Sequence, residues 1–193
     1  MPASCRPPQA LRRFSSPAVE SLIAATCAKI HDPDLAWLFA NCFPNTLDTT
    51  VTFSRDAAGR PDTFIITSDI DAMWLRDSTN QVWPYLSLAK SDPAIRDLIH
   101  GLIRRQTACV LLDPYANAFY RHADTVSHWQ SDSTIMQPGV HERKSELDSL
   151  ASVLRLATEY FRITQDTTPF DSRFLDAVSL IIQTIRREQQ DSD

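Results

Sequence analysis

From Ser68 to Ser78 the chain reads Ser-Asp-Ile-Asp-Ala-Met-Trp-Leu-Arg-Asp-Ser, so that three carboxylates (Asp69, Asp71, Asp77), the Arg76 guanidinium and the Trp74 indole crowd into eleven residues. A surface segment gains nothing by setting Trp74 among acids, and a buried one could hold three Asp only with a partner for each. The mixture suits a sugar. Carboxylates accept from hydroxyl groups, the Arg fork donates in a fixed geometry, and an aromatic face stacks on the C–H surface of a pyranose. A plainer reading is a capped helix start in which Arg76 pairs with a neighbouring Asp and contributes little. A second dense group, Glu142-Arg143-Lys144-Ser145-Glu146-Leu147-Asp148-Ser149, is expected to open a later helix. Acids in a first turn suit the helix dipole, and Lys144 with Asp148 would form an i,i+4 pair, so this group also has a purely structural explanation.

The elements that must position these groups are mostly helices with well-marked starts. Proline at the first helical position, preceded by a capping Ser, Asp or Thr, occurs at Ser16-Pro17, Asp32-Pro33, Asp92-Pro93 and Thr168-Pro169. At the last of these, Asp171 completes a Thr-x-x-Asp capping box. Helical apolar spacing follows each start, and also runs from Glu142 through two stripes: Leu147, Leu150, Leu154, Ala157, Phe161 and Val153, Leu156, Tyr160, Ile163. Two stripes predict a helix buried on two sides. Trp37 and Trp83 fall on apolar phases and are expected in the core. One β element is expected, Thr49–Phe53 and Thr63–Thr67 around a turn at Asp56–Pro61, and its second strand leads directly to the Asp69–Asp77 group. The stretch from Asp113 to Val140 has no sustained period, but it is too aromatic for disorder.

The whole chain has 193 residues, 43% hydrophobic residues and a formal charge of −5, with a pI near 5.5. That size permits one sizeable core. The acidic balance gives no support for nucleic acid as a partner, and three glycines leave no phosphate-cradling motif, so no nucleotide cofactor is expected. Cys5, Cys27, Cys42 and Cys109 form no CxxC pair, and the five histidines show no ligand spacing, so neither a disulfide framework nor a metal site is expected. No run reaches the ~18 apolar residues of a membrane span. Residues 1–14, basic and without an acid, are read as a disordered leader rather than a secretory signal; the compartment stays open, cytoplasmic by default.

Four blocks in order resemble glycoside hydrolase family 125. They are Arg12–Glu20, Ser68–Ser78 continuing through Gln81-Val82-Trp83-Pro84-Tyr85, Asp113–Phe119 and Glu142–Leu150. The first block is similar to fungal members. The resemblance implies a mainly α fold, part of an (α/α)6 toroid of the six-hairpin glycosidase type with one β-hairpin. It also implies carbohydrate metabolism through a metal-independent, inverting exo-α-1,6-mannosidase, which needs no cofactor. An inverting pair of carboxyl groups stands ~6.5–9.5 Å apart, and in the family both lie beyond the region that Asp193 matches. Residues 15–193 are therefore expected to be an N-terminal fragment of the glycosidase domain, with no catalytic residue assigned and inactive alone. The sugar-holding residues implied are Asp71, Trp74, Arg76 and Asp77, with Lys144, Glu146 and Asp148 placed second, and the partner is an α-mannoside glycan. The alternative is a non-catalytic helical module binding a glycan or protein. Because half a toroid exposes faces that a whole one covers, self-association is expected, with the Val178/Ile181/Ile185 stripe as the candidate edge.

Overall fold

Proline and a preceding cap set three helix starts where the sequence marks them. In the computed structural model, which describes residues 3–189, helix α1 (Pro17–Cys27) is capped by Ser16 accepting from the Val19 N–H. Helix α2 (Pro33–Cys42) is capped by Asp32, and α4 (Pro93–Leu112) by Asp92, each accepting from two backbone N–H groups. Asp92 also accepts from the Ser16 hydroxyl, so one buried carboxylate ties the starts of α1 and α4 across 76 positions. The fourth start differs. The Thr168–Pro169 segment is held in a turn by the Asp166 carboxylate, and α6 (Ser172–Glu188) begins later, with Asp171 itself as the cap. Residues 1–2 and 190–193, at the ends of the two expected segments, lie outside the described residues.

The hairpin forms two residues later on its first strand than expected. β1 (Val51–Arg55) pairs antiparallel with β2 (Pro61–Ile65), Val51 opposite Ile65 and Arg55 opposite Pro61. Thr49 and Thr50, β-branched and read as strand, instead donate their hydroxyls back to the Asn45 and Thr46 carbonyls, which holds Thr46–Thr50 in a wide helical turn. Pro61 sits at the strand end, where its missing N–H costs no ladder bond.

A second sheet joins the Asp69–Asp77 segment to the two ends of the stretch without a period. It has three short strands in the order β3 (Met73–Trp74), β4 (Ala118–Phe119), β5 (Val140–Glu142), all antiparallel. Because 140–142 is strand, the helix expected from Glu142 begins only at α5 (Leu147–Thr164), and Lys144 is not on it. Helix α3 (Leu75–Val82) starts directly from β3 and passes into a 3-10 segment, Trp83–Lys90.

Helix α4 is the spine. Ile95, Leu98, Ile99, Leu102 and Ile103 are fully buried, and α4 packs against β2, α5, α6 and the 3-10 segment. Gly101 lets α4 approach β2: a Cβ there would lie 2.5 Å from the Thr63 hydroxyl and 2.9 Å from its backbone N. The Thr63 hydroxyl donates to the Leu98 carbonyl at 2.7 Å, fastening hairpin to helix. The result is a mainly α fold with two small sheets, as expected of part of an (α/α)6 toroid. No helix among the described residues is long and apolar enough to cross a membrane.

Four expectations are corrected. Helix α5 buries one broad face drawn from both stripes (Leu150, Val153, Leu156, Ala157, Tyr160), while Leu147 and Phe161, the two ends of the first stripe, are exposed. On α6 the Val178/Ile181/Ile185 stripe faces inward, leaving Leu175 and Ile182 as the outward apolar residues. Trp37 and Trp83 are only half-buried: the Trp37 indole donates to the Ala3 carbonyl, and Arg155 lies 3.7 Å over the Trp83 ring. Finally, residues 3–14 are ordered rather than a loose leader. Arg6 bridges Glu20 and Asp48, and the Arg13 and Phe14 N–H groups donate to the Asp48 and Leu47 carbonyls. Asp48 is buried and needs those cations, which sequence spacing does not show.

Candidate functional site

The start of α3 is fixed from below. Gln106, fully buried on α4, turns its amide nitrogen toward the Leu75 carbonyl and the hydroxyls of Ser78 and Thr79, all within 3.0–3.1 Å. Leu75 N donates to the Asn117 carbonyl. With Leu75 and Ser78 held, Arg76 and Asp77 are pushed to the outer side of the first turn, both half-buried.

The second sheet supplies the cross-chain alignment. Trp74 lies opposite Ala118, and Ala118 opposite Glu142, so the three residues form one row across the strands. The small methyl of Ala118 leaves the indole room to reach over it, and Trp74 Nε1 donates to Glu142 Oε2 at 3.3 Å, 68 positions away. Asn117, 1% exposed, donates its amide to the same Oε2 at 2.8 Å and accepts from the Lys144 backbone N–H at 3.0 Å. Lys144 Nζ donates to Glu142 Oε1 at 2.6 Å. Burial pushes the Glu142 carboxyl up, but the hydrogen bonds from Lys144 and Asn117, with Trp74 behind them, outweigh it and leave it below the usual carboxylate value.

Arg76 makes the second junction. Its Nη1 donates to Asp148 Oδ2 at 2.9 Å, 72 positions away, and lies 3.5 Å from Glu146 Oε2. Its Nη2 lies 3.6 Å from Asp77 Oδ2, an oxygen shielded from solvent that accepts no hydrogen bond from the described residues. The Glu146 carboxylate accepts from the Ser149 hydroxyl, tying it to the first turn of α5.

Of the seven residues expected at the site, six therefore meet in one patch: Trp74, Arg76, Asp77, Lys144, Glu146 and Asp148. Lys144 reaches it through Glu142 rather than as the expected helical partner of Asp148. Asp71 stands apart, exposed on the turn after Ser68 and without an ion pair among the described residues. Ser68 itself takes a positive φ of 57°, uncommon for a residue with a side chain. Glu142, expected only as part of the group opening the later helix, is what anchors Trp74 and Lys144, whereas Asn117 and Gln106 were missed as site-builders. Their only sequence signal is a polar type inside an otherwise apolar or turn-forming run.

Beside the indole sits His141, 5% exposed, the residue that the register shift between β4 and β5 leaves unpaired between Val140 and Glu142. Its ring meets Trp74 edge to face at 5.1 Å, Tyr120 at 4.9 Å and His128 at 5.6 Å, and its Nδ1 has no hydrogen-bond partner among the described residues. Burial, then neighbouring His128, lowers its pKa against the opposing pull of Glu142, so the ring is neutral near pH 7. Among the described residues no group of three or more His, Cys, Asp or Glu could hold a metal ion.

The family model for metal-independent alpha-mannosidases (GH125) matches residues 32–193. The chain belongs to glycoside hydrolase family 125. It is similar to the meiotically up-regulated gene 157 protein of Schizosaccharomyces pombe, 42% identical over 194 residues that cover 97% of this chain and 38% of that protein. In three dimensions it is similar to a metal-independent alpha mannosidase from Streptococcus pneumoniae, solved as a non-productive substrate complex with alpha-1,6-mannobiose. There the TM-score is 0.79 and the identity 39%, covering 89% of this chain and 39% of the other. The chain thus spans about two fifths of the length of the relatives it matches. The mainly helical fold with its small sheets is that of this GH125 structure.

Proposed function

We propose that the Trp74/Arg76 patch is the sugar-holding part of a glycoside hydrolase acting on α-mannosides. The observation that carries the reading is the junction of two polar groups, about 70 positions apart, around one half-buried indole. The Trp74 ring offers a stacking face for the pyranose C–H surface. The exposed Asp148 carboxylate and the half-buried Asp77 and Glu146 carboxylates can accept from its hydroxyls. Glu142 serves beneath them by fixing the indole and Lys144. The solved relative's mannobiose complex supports an α-1,6-linked mannoside as the ligand class.

In this reading the 193 residues hold the non-reducing sugar, and the proton-transfer carboxyls are not among them. Calorimetric titration of the chain with α-1,6-mannobiose is expected to show binding, and a product assay no hydrolysis above background. Arg76→Ala should weaken binding at least tenfold yet cost under about 1 kcal/mol of stability, because the Arg76 pairs are solvent-facing. No binding by the parent chain would refute the sugar site, and turnover with inversion would refute the division of labour.

A second reading, a binding module that associates with protein, is favoured by the outward apolar residues Leu147, Phe161, Leu175 and Ile182 on adjacent helices. Sedimentation distinguishes it, since a monomer at all concentrations leaves those residues without that role.

A further inference from the structure

The rest of the molecule is weaker ground for a second site. The 230 Å³ cleft between the hairpin, α4 and the start of α6 is lined by Arg55, Arg104, Arg105 and Arg173, but the first three each face an Asp (Asp97, Asp56, Asp62) and Asp171 also lines it, which leaves little attraction for an anion. The cluster beside Trp74 carries more. In β5 the register shift leaves His141 unpaired between Val140 and Glu142, where an extra residue re-aims its side chain. Glu142 takes the indole N–H, and His141 packs edge to face against the ring. Trp74 is therefore gripped both at its polar edge and on its ring.

A buried histidine is usually kept for a hydrogen bond or a proton. Among the described residues the Nδ1 of His141 has neither partner nor solvent contact, although the Ser127 hydroxyl donates to the residue's own backbone carbonyl. What the side chain does make is three edge-on ring contacts. Tyr120 and His128 close the cluster from the loop after β4, with the His128 ring 4.7 Å from Trp129. Only Trp74 of these rings belongs to the sugar patch.

We propose that His141 is a positioning residue for that patch: its ring sets the tilt of the Trp74 indole and so of the stacking face offered to the sugar. The inference rests on the sugar-site reading for its consequence but not for its geometry. The indole N–H resonance of Trp74, identified by its loss in Trp74→Phe, reports the Trp74–Glu142 bond directly. In His141→Ala that resonance should move, and mannobiose affinity should fall about three- to tenfold, the size of one edge-to-face aromatic pair. His141→Phe, which keeps an aromatic edge without the nitrogens, should restore both. His141→Leu, similar in volume but not aromatic, should behave as His141→Ala and provides the comparison where the alanine variant does not fold.

An unmoved Trp74 resonance in a folded Ala or Leu variant overturns the proposal, as does a Phe variant that behaves like Leu. If no form binds mannobiose, the sugar reading falls, while the Trp74 resonance still decides whether His141 sets the ring.

Discussion

Removing the Glu142 carboxylate tests how the patch is built. Asn117 and Trp74 both point N–H groups at Oε2, and Asn117 is 1% exposed, so Glu142→Ala leaves a buried amide without its charged acceptor. That loss costs about 1.5–3 kcal/mol. The Trp74 bond, long at 3.3 Å, adds no more than about 0.5. Lys144 is open to solvent and is left out of the sum. The expected cost at pH 7 is roughly 2–3 kcal/mol, a melting temperature lower by about 5–10 °C for a chain of this size.

The sign with pH follows from the folded carboxyl lying below its usual value. Glu142 contributes stability above its unfolded value of about 4.3, and that contribution fades as pH falls through the lower folded value. Urea unfolding of parent and variant at pH 7 and pH 3 should therefore show a large gap at the first and a smaller one at the second. A gap under about 0.5 kcal/mol at pH 7, or one of equal size at both pH values, refutes the reasoning. Asn117→Ala combined with Glu142→Ala should cost less than the two singles added, because each removes the same bond.

Two further outcomes follow from the core. Gly101→Ala gains about 1 kcal/mol of helix propensity but drives a methyl into Thr63, so a net loss near 2 kcal/mol is expected in urea unfolding; a stabilised variant would show that hairpin and α4 can separate freely. Burial pushes the Cys109 thiol up to about 12, whereas Cys5 and Cys42 are exposed. An alkylating reagent at pH 8 should therefore modify Cys5 and Cys42 in the folded chain and reach Cys109 only on unfolding, as peptide mapping would report.

Legibility in the sequence tracked how local the cause was. Ser16, Asp32 and Asp92 cap within three positions of themselves, so their helices could be read directly. Asp171 misled because the same Thr-Pro pattern can close a turn when a nearby acid, here Asp166, takes the threonine's hydrogen bonds. The threonines before Val51 misled because β-branched hydroxyls can bond back along a helical turn as well as line a strand. Residues 3–14 looked disordered because their anchors, Glu20 and Asp48, lie far along the chain.

At the site, the sequence alone marked side chains of a type able to hold a sugar, and it established the family that the chain belongs to, since both are read from residue type and order. It also set three of the four marked helix starts, which depend on a proline and one oxygen nearby. Only the tertiary structure decided that Trp74 would meet Glu142 across Ala118, that Arg76 would reach Asp148, and that His141 would lie beside the indole. Strands of two or three residues carry too little pattern to announce their partners, and their pairing is settled by what α4 and its buried Gln106 hold in place.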